Sequence, residues 1–209
     1  GLITQILPRK NFLQRPPIAN IDQLFIVASQ ASPVTDPYLI DKVSVIALRQ
    51  GIQPILVLNK QDVDPSRDFR AIYEKAGFPV LSTSAETGEG VEQLRQMLTG
   101  SISRISRGRH TTRRVELFFV AEGYLADTPG FSSFDISRME HIPKEELEQY
   151  FPEFEPFLGQ CRFSGCAHCK EPDCAVDQGA REGAIAPSRL ESYRKLYEEM
   201  AQWKEWENK

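Results

Sequence analysis

The chain has 209 residues, 41% of them hydrophobic and 26% charged, with a formal net charge of −4. That composition excludes disordered and collagen-like classes and suffices for one full core plus a smaller appendage. The negative balance excludes a global attraction to nucleic acid, no apolar run nears the about 18 residues of a membrane span and no leader is evident, so a soluble, cytoplasmic protein without a membrane partner is expected. Charge is nevertheless uneven. Arg104, Arg107, Arg109, Arg113 and Arg114 lie with His110 between Ser101 and Val115 without an acidic residue, whereas six glutamates face one lysine between Glu140 and Glu155. The chain opens on Gly1 and the apolar run Leu2 to Leu7, which reads as the middle of a strand, so further residues are expected to precede it.

From Gln23 short apolar runs alternate with amphipathic stretches, the rhythm of a parallel sheet wrapped by helices, and an α/β fold is predicted. Leu24 to Ala28 reads as a continuously buried strand. Asp36 and Pro37 then supply a cap and a first-turn proline for a helix with Leu39, Ile40, Val43, Ile46 and Ala47 on its apolar side, closed by Gly51. The next unit predicts a strand from Pro54 to Leu58, a cap at Ser66, a helix through Tyr73 and a stop at Gly77. A third strand from Pro79 to about Thr83 and a helix from about Gly90 to Leu98 follow. The period then changes to an antiparallel pair, Val115 to Val120 and Tyr124 to Asp127. A charged amphipathic helix from about Pro187 to Trp206 ends the chain, and a domain boundary is placed near Pro143.

Asn59-Lys60-Gln61-Asp62 stands at the C-terminal end of the second strand, where open α/β sheets bind ligands. A carboxylate at Asp62 can accept two hydrogen bonds, from the guanine N1–H and exocyclic amine, donors that adenine does not present in that arrangement. A polar strand-to-helix turn is the plainer reading of those four residues alone. Ser82-Thr83-Ser84-Ala85 follows the next strand, which would set the two loops side by side, with Ala85 offering its backbone N–H to the guanine O6. Asp127-Thr128-Pro129-Gly130 closes a later strand in the Asp-x-x-Gly pattern, in which Asp127 would hold the water shell of Mg2+ and Gly130 would bring its N–H to a phosphate oxygen.

In ordinary GTPases the magnesium motif precedes the base-reading motif, whereas here Asn59 and Ser84 precede Asp127, a circular permutation. With Leu7 to Asn11, Arg15 to Asp22, Arg107 to Arg113, Asp127 to Phe134 and a cysteine cluster, the chain resembles the ribosome small-subunit-dependent GTPase A family over essentially its whole length. The resemblance implies a circularly permuted P-loop GTPase fold over residues 16–143, a remnant of an N-terminal OB-fold over 1–15 and a small zinc-binding domain over 144–209. It also implies GTP and GDP as ligands, Mg2+ with GTP, a monomer, and hydrolysis stimulated by the small ribosomal subunit and its rRNA during subunit maturation. Asn59 would hold the loop and the base, and the Lys60 stem would cover the purine face.

Two departures stand out. No Gly-x-x-x-x-Gly-Lys-Ser/Thr occurs anywhere, and without that cradle a triphosphate is poorly held. A stretch of a few tens of residues is therefore expected to be absent between about Ser101 and Arg107. Most of the family's OB-fold is missing too. The segment Arg107 to Arg114 matches the family's first switch, with Thr112 the candidate magnesium ligand, Thr111 its alternative, and arginines suited to rRNA phosphate. Phe131 occupies the position of the usual water-orienting glutamine, which leaves His110 as the candidate for that task.

All four cysteines fall between Cys161 and Cys174, a spacing that suits a metal cluster better than a disulfide framework. Cys161, Cys166, His168 and Cys174 supply a closed tetrahedral shell, hence one structural Zn2+. Cys169 is a competing fourth ligand, and the family resemblance favours His168. The rival functional reading is a zinc-stabilised rRNA-binding module on an inactive GTPase fold; an ATPase is disfavoured by Asp62.

Overall fold

The computed structural model describes residues 5, 8–13, 17–99, 116–120, 123–127 and 142–202. Its elements run β1 Phe12–Leu13, β2 Ile18–Ala19, β3 Gln23–Ser29, α1 Pro37–Arg49, β4 Gln53–Asn59, α2 Asp68–Lys75, β5 Val80–Ser82, α3 Val91–Thr99, β6 Glu116–Val120 and β7 Gly123–Asp127. Two 3-10 helices, Lys144–Tyr150 and Pro152–Phe157, then lead to α4, Ala175–Arg181, and α5, Pro187–Ala201. The residues beyond 202 into which the last predicted helix extended, and the run from Leu2 to Leu7, lie outside the described residues.

β4 is the centre of a parallel sheet, with β3 and β5 on either side. Its run Pro54 to Leu58 is buried throughout, as a strand covered on both faces must be. β3 departs from the predicted continuous burial. Ile26 and Ala28 are buried while Val27 between them is 62% exposed, so the face of this strand that carries Val27 is open at that position among the described residues. Register links the two strands residue by residue, from Gln23 opposite Gln53 to Ser29 opposite Asn59. The antiparallel pair β6 and β7 forms a separate two-stranded sheet that puts Asp127 opposite Glu116.

α1 begins where predicted, with the Asp36 carboxylate accepting the Tyr38 N–H at 2.9 Å and Pro37 in the first turn. Its interior carries Val43, Ser44, Val45 and Ile46, weak helix formers that each cost up to about 0.7 kcal/mol relative to alanine. Burial decides the outcome, because a fully buried aliphatic side chain contributes about 1.5–3 kcal/mol. Two faces are covered. Ile40 and Val43 pack with Ile26, Ala28, Leu56, Leu58, Tyr73 and Phe78 against the sheet and α2. Val45, Ile46 and Ala47 pack with Ile142, Leu147, Phe151, Leu190, Tyr193 and Leu196. This second cluster joins α1 to residues on the far side of position 143.

The start of α2 differs from expectation. The helix opens at Asp68 without a side-chain cap on Arg67. Ser66 does not cap it; its hydroxyl takes a hydrogen bond from the Gln30 amide. Gln30 in turn accepts the Phe69 N–H at 2.6 Å, so a residue from the end of β3 satisfies the helix terminus that Ser66 was expected to serve.

Arg189 fastens the second face of α1. Its side chain is 1% exposed, and it donates at 2.7 Å to Asp41 of α1 and at 2.7 and 3.1 Å to Glu153. The guanidinium also lies over Phe151, 4.6 Å from the ring centroid, and over Phe78 at 5.2 Å. Burial disfavours its charge, but the carboxylates of Asp41 and Glu153 outweigh that and raise its pKa. Removing the cation would leave two carboxylates desolvated and facing one another. Arg189→Ala is therefore expected to lower the unfolding free energy by about 3–5 kcal/mol, read as a shift of the urea midpoint at constant slope. A loss below about 1 kcal/mol would show that the carboxylates find other partners.

Candidate functional site

The end of β4 delivers Asn59, and the chain then turns sharply at Lys60, which adopts φ +65°. Val63 and Asp64 donate their N–H groups back to the Lys60 carbonyl at 3.0 and 3.1 Å, closing the turn that carries Asp62. The end of β5 delivers the second loop alongside: Thr83 N–H donates to Leu58 at 2.7 Å, and Gln61 N–H donates to the Thr83 carbonyl at 3.1 Å. The two loops are thus stitched through the backbone before any side chain is considered.

Side chains complete the join. Ser84, fully buried, donates its hydroxyl to Asp62 Oδ1 at 2.5 Å. Asp62 itself is exposed, so one oxygen is held by the protein and the carboxylate edge faces solvent. Asn59 Oδ1 accepts the Ala85 N–H at 3.0 Å and lies 3.4 Å from the Thr83 hydroxyl. The N–H that was expected to meet the guanine O6 therefore donates to Asn59 in this structure. Lys60 reaches across the mouth, with Nζ donating to the Ser32 carbonyl at 2.8 Å. Its stem thereby spans the gap between the end of β3 and the end of β4.

The Ser84 loop has its own internal scaffold. Ser84 N–H donates to Glu89, Gly88 N–H donates to Ser84, both at 2.9 Å, and Thr87 N–H donates to the Ser84 hydroxyl at 3.1 Å. Gly90 ends this turn at φ +72°, where a Cβ would lie 2.1 Å from the Ser82 carbonyl oxygen. Only glycine allows α3 to start so close to the second loop. Arg70 adds a hydrogen bond to the Ser82 hydroxyl at 2.9 Å. Neither Gln30, Ser32 nor Arg70 carried a sequence signal, because each acts across a long separation.

Asp127 stands at the end of β7, exposed, as the strand context required. Gly130, Thr111, Thr112, His110, Phe131 and the arginine-rich run lie outside the described residues. The Asn59, Asp62, Ser84 and Ala85 positions are therefore the ones brought together here.

A second cluster lies beyond residue 143. One ligand atom from each of Cys161, Cys166, His168 and Cys174 lies within 4.8 Å of the others. His168 Nδ1 is 3.3 Å from Cys174 Sγ and 3.6 Å from Cys161 Sγ, and the latter two sulfurs are 4.0 Å apart. A tetrahedral zinc with Zn–S of about 2.3 Å and Zn–N of about 2.0 Å has edges of about 3.5–3.8 Å, so these donors fit it. Cys169 falls outside the group, its thiol directed at the Ala167 carbonyl at 3.4 Å. Backbone N–H groups of His168 and Ala175 point at the sulfurs of Cys166 and Cys161, each at 3.4 Å. Burial pushes the Cys166 thiol up to about 12 despite its N–H contact, so metal binding must displace a proton there.

Glu171 holds the loop between the ligands. Its carboxylate accepts N–H groups from Ala167 at 3.1 Å and from Cys169 and Lys170 at 3.0 Å. Burial works against its charge, but these backbone donors hold its carboxyl down at about 2. A carboxyl lowered in the folded chain from an ordinary 4.5 stabilises it above that pH. The contribution fades as pH falls from there through about 2. The melting advantage of the parent over Glu171→Gln is thus expected at neutral pH and should shrink steadily below about pH 4.5. A gap that stays constant down to about pH 2 contradicts the assignment.

Comparison with known proteins bears on both clusters. A family model described as RsgA GTPase matches residues 6–106 and 99–137. The small ribosomal subunit biogenesis GTPase RsgA of Caldanaerobacter subterraneus subsp. tengcongensis is 39% identical over 234 residues, covering 96% of this chain and 78% of the relative. The protein of the same name from Thermotoga maritima is 36% identical over 236 residues, with the same coverage. Among solved structures, YjeQ from Thermotoga maritima superposes with a TM-score of 0.77 at 34% identity, over 96% of this chain and 78% of its own. YloQ, titled a circularly permuted GTPase, superposes with a TM-score of 0.76 at 31% identity, over 96% and 75%. The matches run over more positions than the 209 residues of the chain, so these relatives carry residues without a counterpart here. The two family-model segments overlap at 99–106, where the phosphate loop was expected.

Proposed function

The chain belongs to the RsgA GTPase family, and from that premise we propose that it binds GTP and hydrolyses it in the biogenesis of the small ribosomal subunit. The observation that carries the guanine assignment is the 2.5 Å contact between Ser84 and Asp62. It orients a carboxylate whose remaining lone pairs suit the N1–H and exocyclic amine of guanine. Asn59 ties the two base-reading loops together, Lys60 covers the purine face and Ala85 gives the base a small neighbour. Asp127 is assigned to the water shell of Mg2+, with Thr112 as a further ligand, Gly130 against the phosphate and His110 orienting the attacking water. The segments 1–15, 16–143 and 144–209 are read as OB-fold remnant, GTPase domain and zinc-binding domain of a monomer that meets rRNA through its arginines.

Two charge-assisted hydrogen bonds of about 1.5–3 kcal/mol each are at stake in Asp62. Asp62→Ala is therefore expected to weaken GDP binding about 100-fold or more in a calorimetric titration. Asp62→Asn should in addition favour a xanthine nucleotide, whose C2 carbonyl can accept from the new amide. Equal affinity of Asp62→Ala and the parent for GDP and ADP would remove the guanine reading.

The missing Gly-x-x-x-x-Gly-Lys motif favours a second reading: a zinc-stabilised rRNA-binding module that does not turn GTP over. GTP turnover that rises when small subunits are added supports the enzyme. Subunit binding indifferent to nucleotide, with no phosphate release, supports the module.

Zn2+ is proposed as the occupant of Cys161, Cys166, His168 and Cys174, a closed shell that leaves no position for substrate. Residues 144–202 depend on it together with α1, so a strong chelator is expected to lower the melting temperature and one equivalent of zinc to restore it. A melting curve indifferent to chelator would argue against a resident metal.

A further inference from the structure

The imidazole of His168 is held from both ends. Nδ1 faces the sulfurs of Cys174 and Cys161 at 3.3 and 3.6 Å, while Nε2 lies 3.0 Å from Glu148 Oε2. Glu148 belongs to the 3-10 helix Lys144–Tyr150, 20 residues earlier in the chain. The ring is 3% exposed and is boxed by Phe154 and Tyr193, at centroid distances of 6.2 and 6.1 Å. Within such a box the ring nitrogen that keeps its lone pair is decided by what the other nitrogen can donate to. Here that acceptor is a carboxylate.

We propose that Glu148 is the positioning residue of the Cys161, Cys166, His168, Cys174 cluster: it accepts the Nε2–H, leaves the Nδ1 lone pair directed at the sulfurs and so sets metal affinity. A carboxylate in this place also raises the basicity of the imidazole toward a metal. Its helix is anchored to α1, where Arg49 donates to Glu146 at 2.7 Å and lies 3.4 Å from the Tyr150 hydroxyl. The plane of a metal-site imidazole is therefore fixed by an element that rests on the nucleotide-binding half of the molecule. The inference rests on the reading of this cluster as a zinc site.

The test uses the whole 209-residue chain, loaded with one equivalent of zinc and titrated with a chromophoric chelator. Glu148→Ala is expected to lower zinc affinity about 10- to 100-fold, Glu148→Gln by less because its carbonyl still accepts, and Glu145→Ala on the same helix not at all. Melting of the metal-free Glu148 variants should match the metal-free parent, which separates positioning from packing. Nitrogen NMR of the zinc-loaded parent, which needs no variant, should show Nδ1 metal-bound and Nε2 protonated at His168. Zinc held by Glu148→Ala within about twofold of the parent, or ligation through Nε2, overturns the inference. A parent that binds no zinc overturns it together with the zinc reading, whereas a parent that binds zinc while Glu148→Ala holds it as tightly overturns this inference alone.

Discussion

The rest of the structure depends on α1 being covered on two sides. A helix of 13 residues that packs a parallel sheet on one face normally offers water the other, yet here the second face meets Arg189, Phe151 and Tyr193. The apolar contacts supply the stabilisation, and the Asp41, Arg189 and Glu153 cluster supplies the alignment. Buried ion pairs contribute little net energy against well-packed hydrophobic side chains. What this one contributes is a single permitted seating of α5 on α1, because any slip leaves a charge desolvated.

The two loops that carry Asn59 to Asp62 and Ser84 leave the sheet that the other side of the same helix covers. Their geometry follows from register: β4 pairs with β3 and β5, so Asn59 and Ser84 emerge at the same edge of the sheet. Backbone hydrogen bonds between Gln61 and Thr83 and between Thr83 and Leu58 then hold the loops together independently of nucleotide. Loops held together in advance lose little ordering entropy when a ligand binds them. The phosphate half of a GTPase pocket has no such framework among the described residues, where β6 and β7 stand as a sheet of their own.

Much of this was legible in the residues. Apolar runs with helical stretches between them gave β3, β4, β5, α1 and α3 within a residue or two, since hydrophobic periodicity is a local property. Asn59 to Asp62 could be placed because strand ends are predictable, and the spacing from Cys161 to Cys174 advertised a metal. The exposure of Val27 and the uncapped start of α2 were not legible. Each depends on what another element does: nothing described covers Val27 on β3, and Gln30 rather than Ser66 meets the start of α2. Arg189 and Glu148 were missed for the same reason. Arg189 and Asp41 are 148 residues apart, and no local pattern pairs them; a charged residue on an amphipathic helix reads as solvent-facing until its partner is seen.

The doubly covered α1 also bears on how the molecule comes apart. Its backbone amides are shielded by the sheet on one flank and by α5 on the other, so they can exchange with deuterium only when both flanks open. The loops at the tips of β4 and β5 grow from the sheet on one flank, and the cysteine-bearing knuckle packs with α5 on the other. The two flanks thus belong to one cooperative unit, in which a ligand held on either flank would be felt as slower opening at the centre.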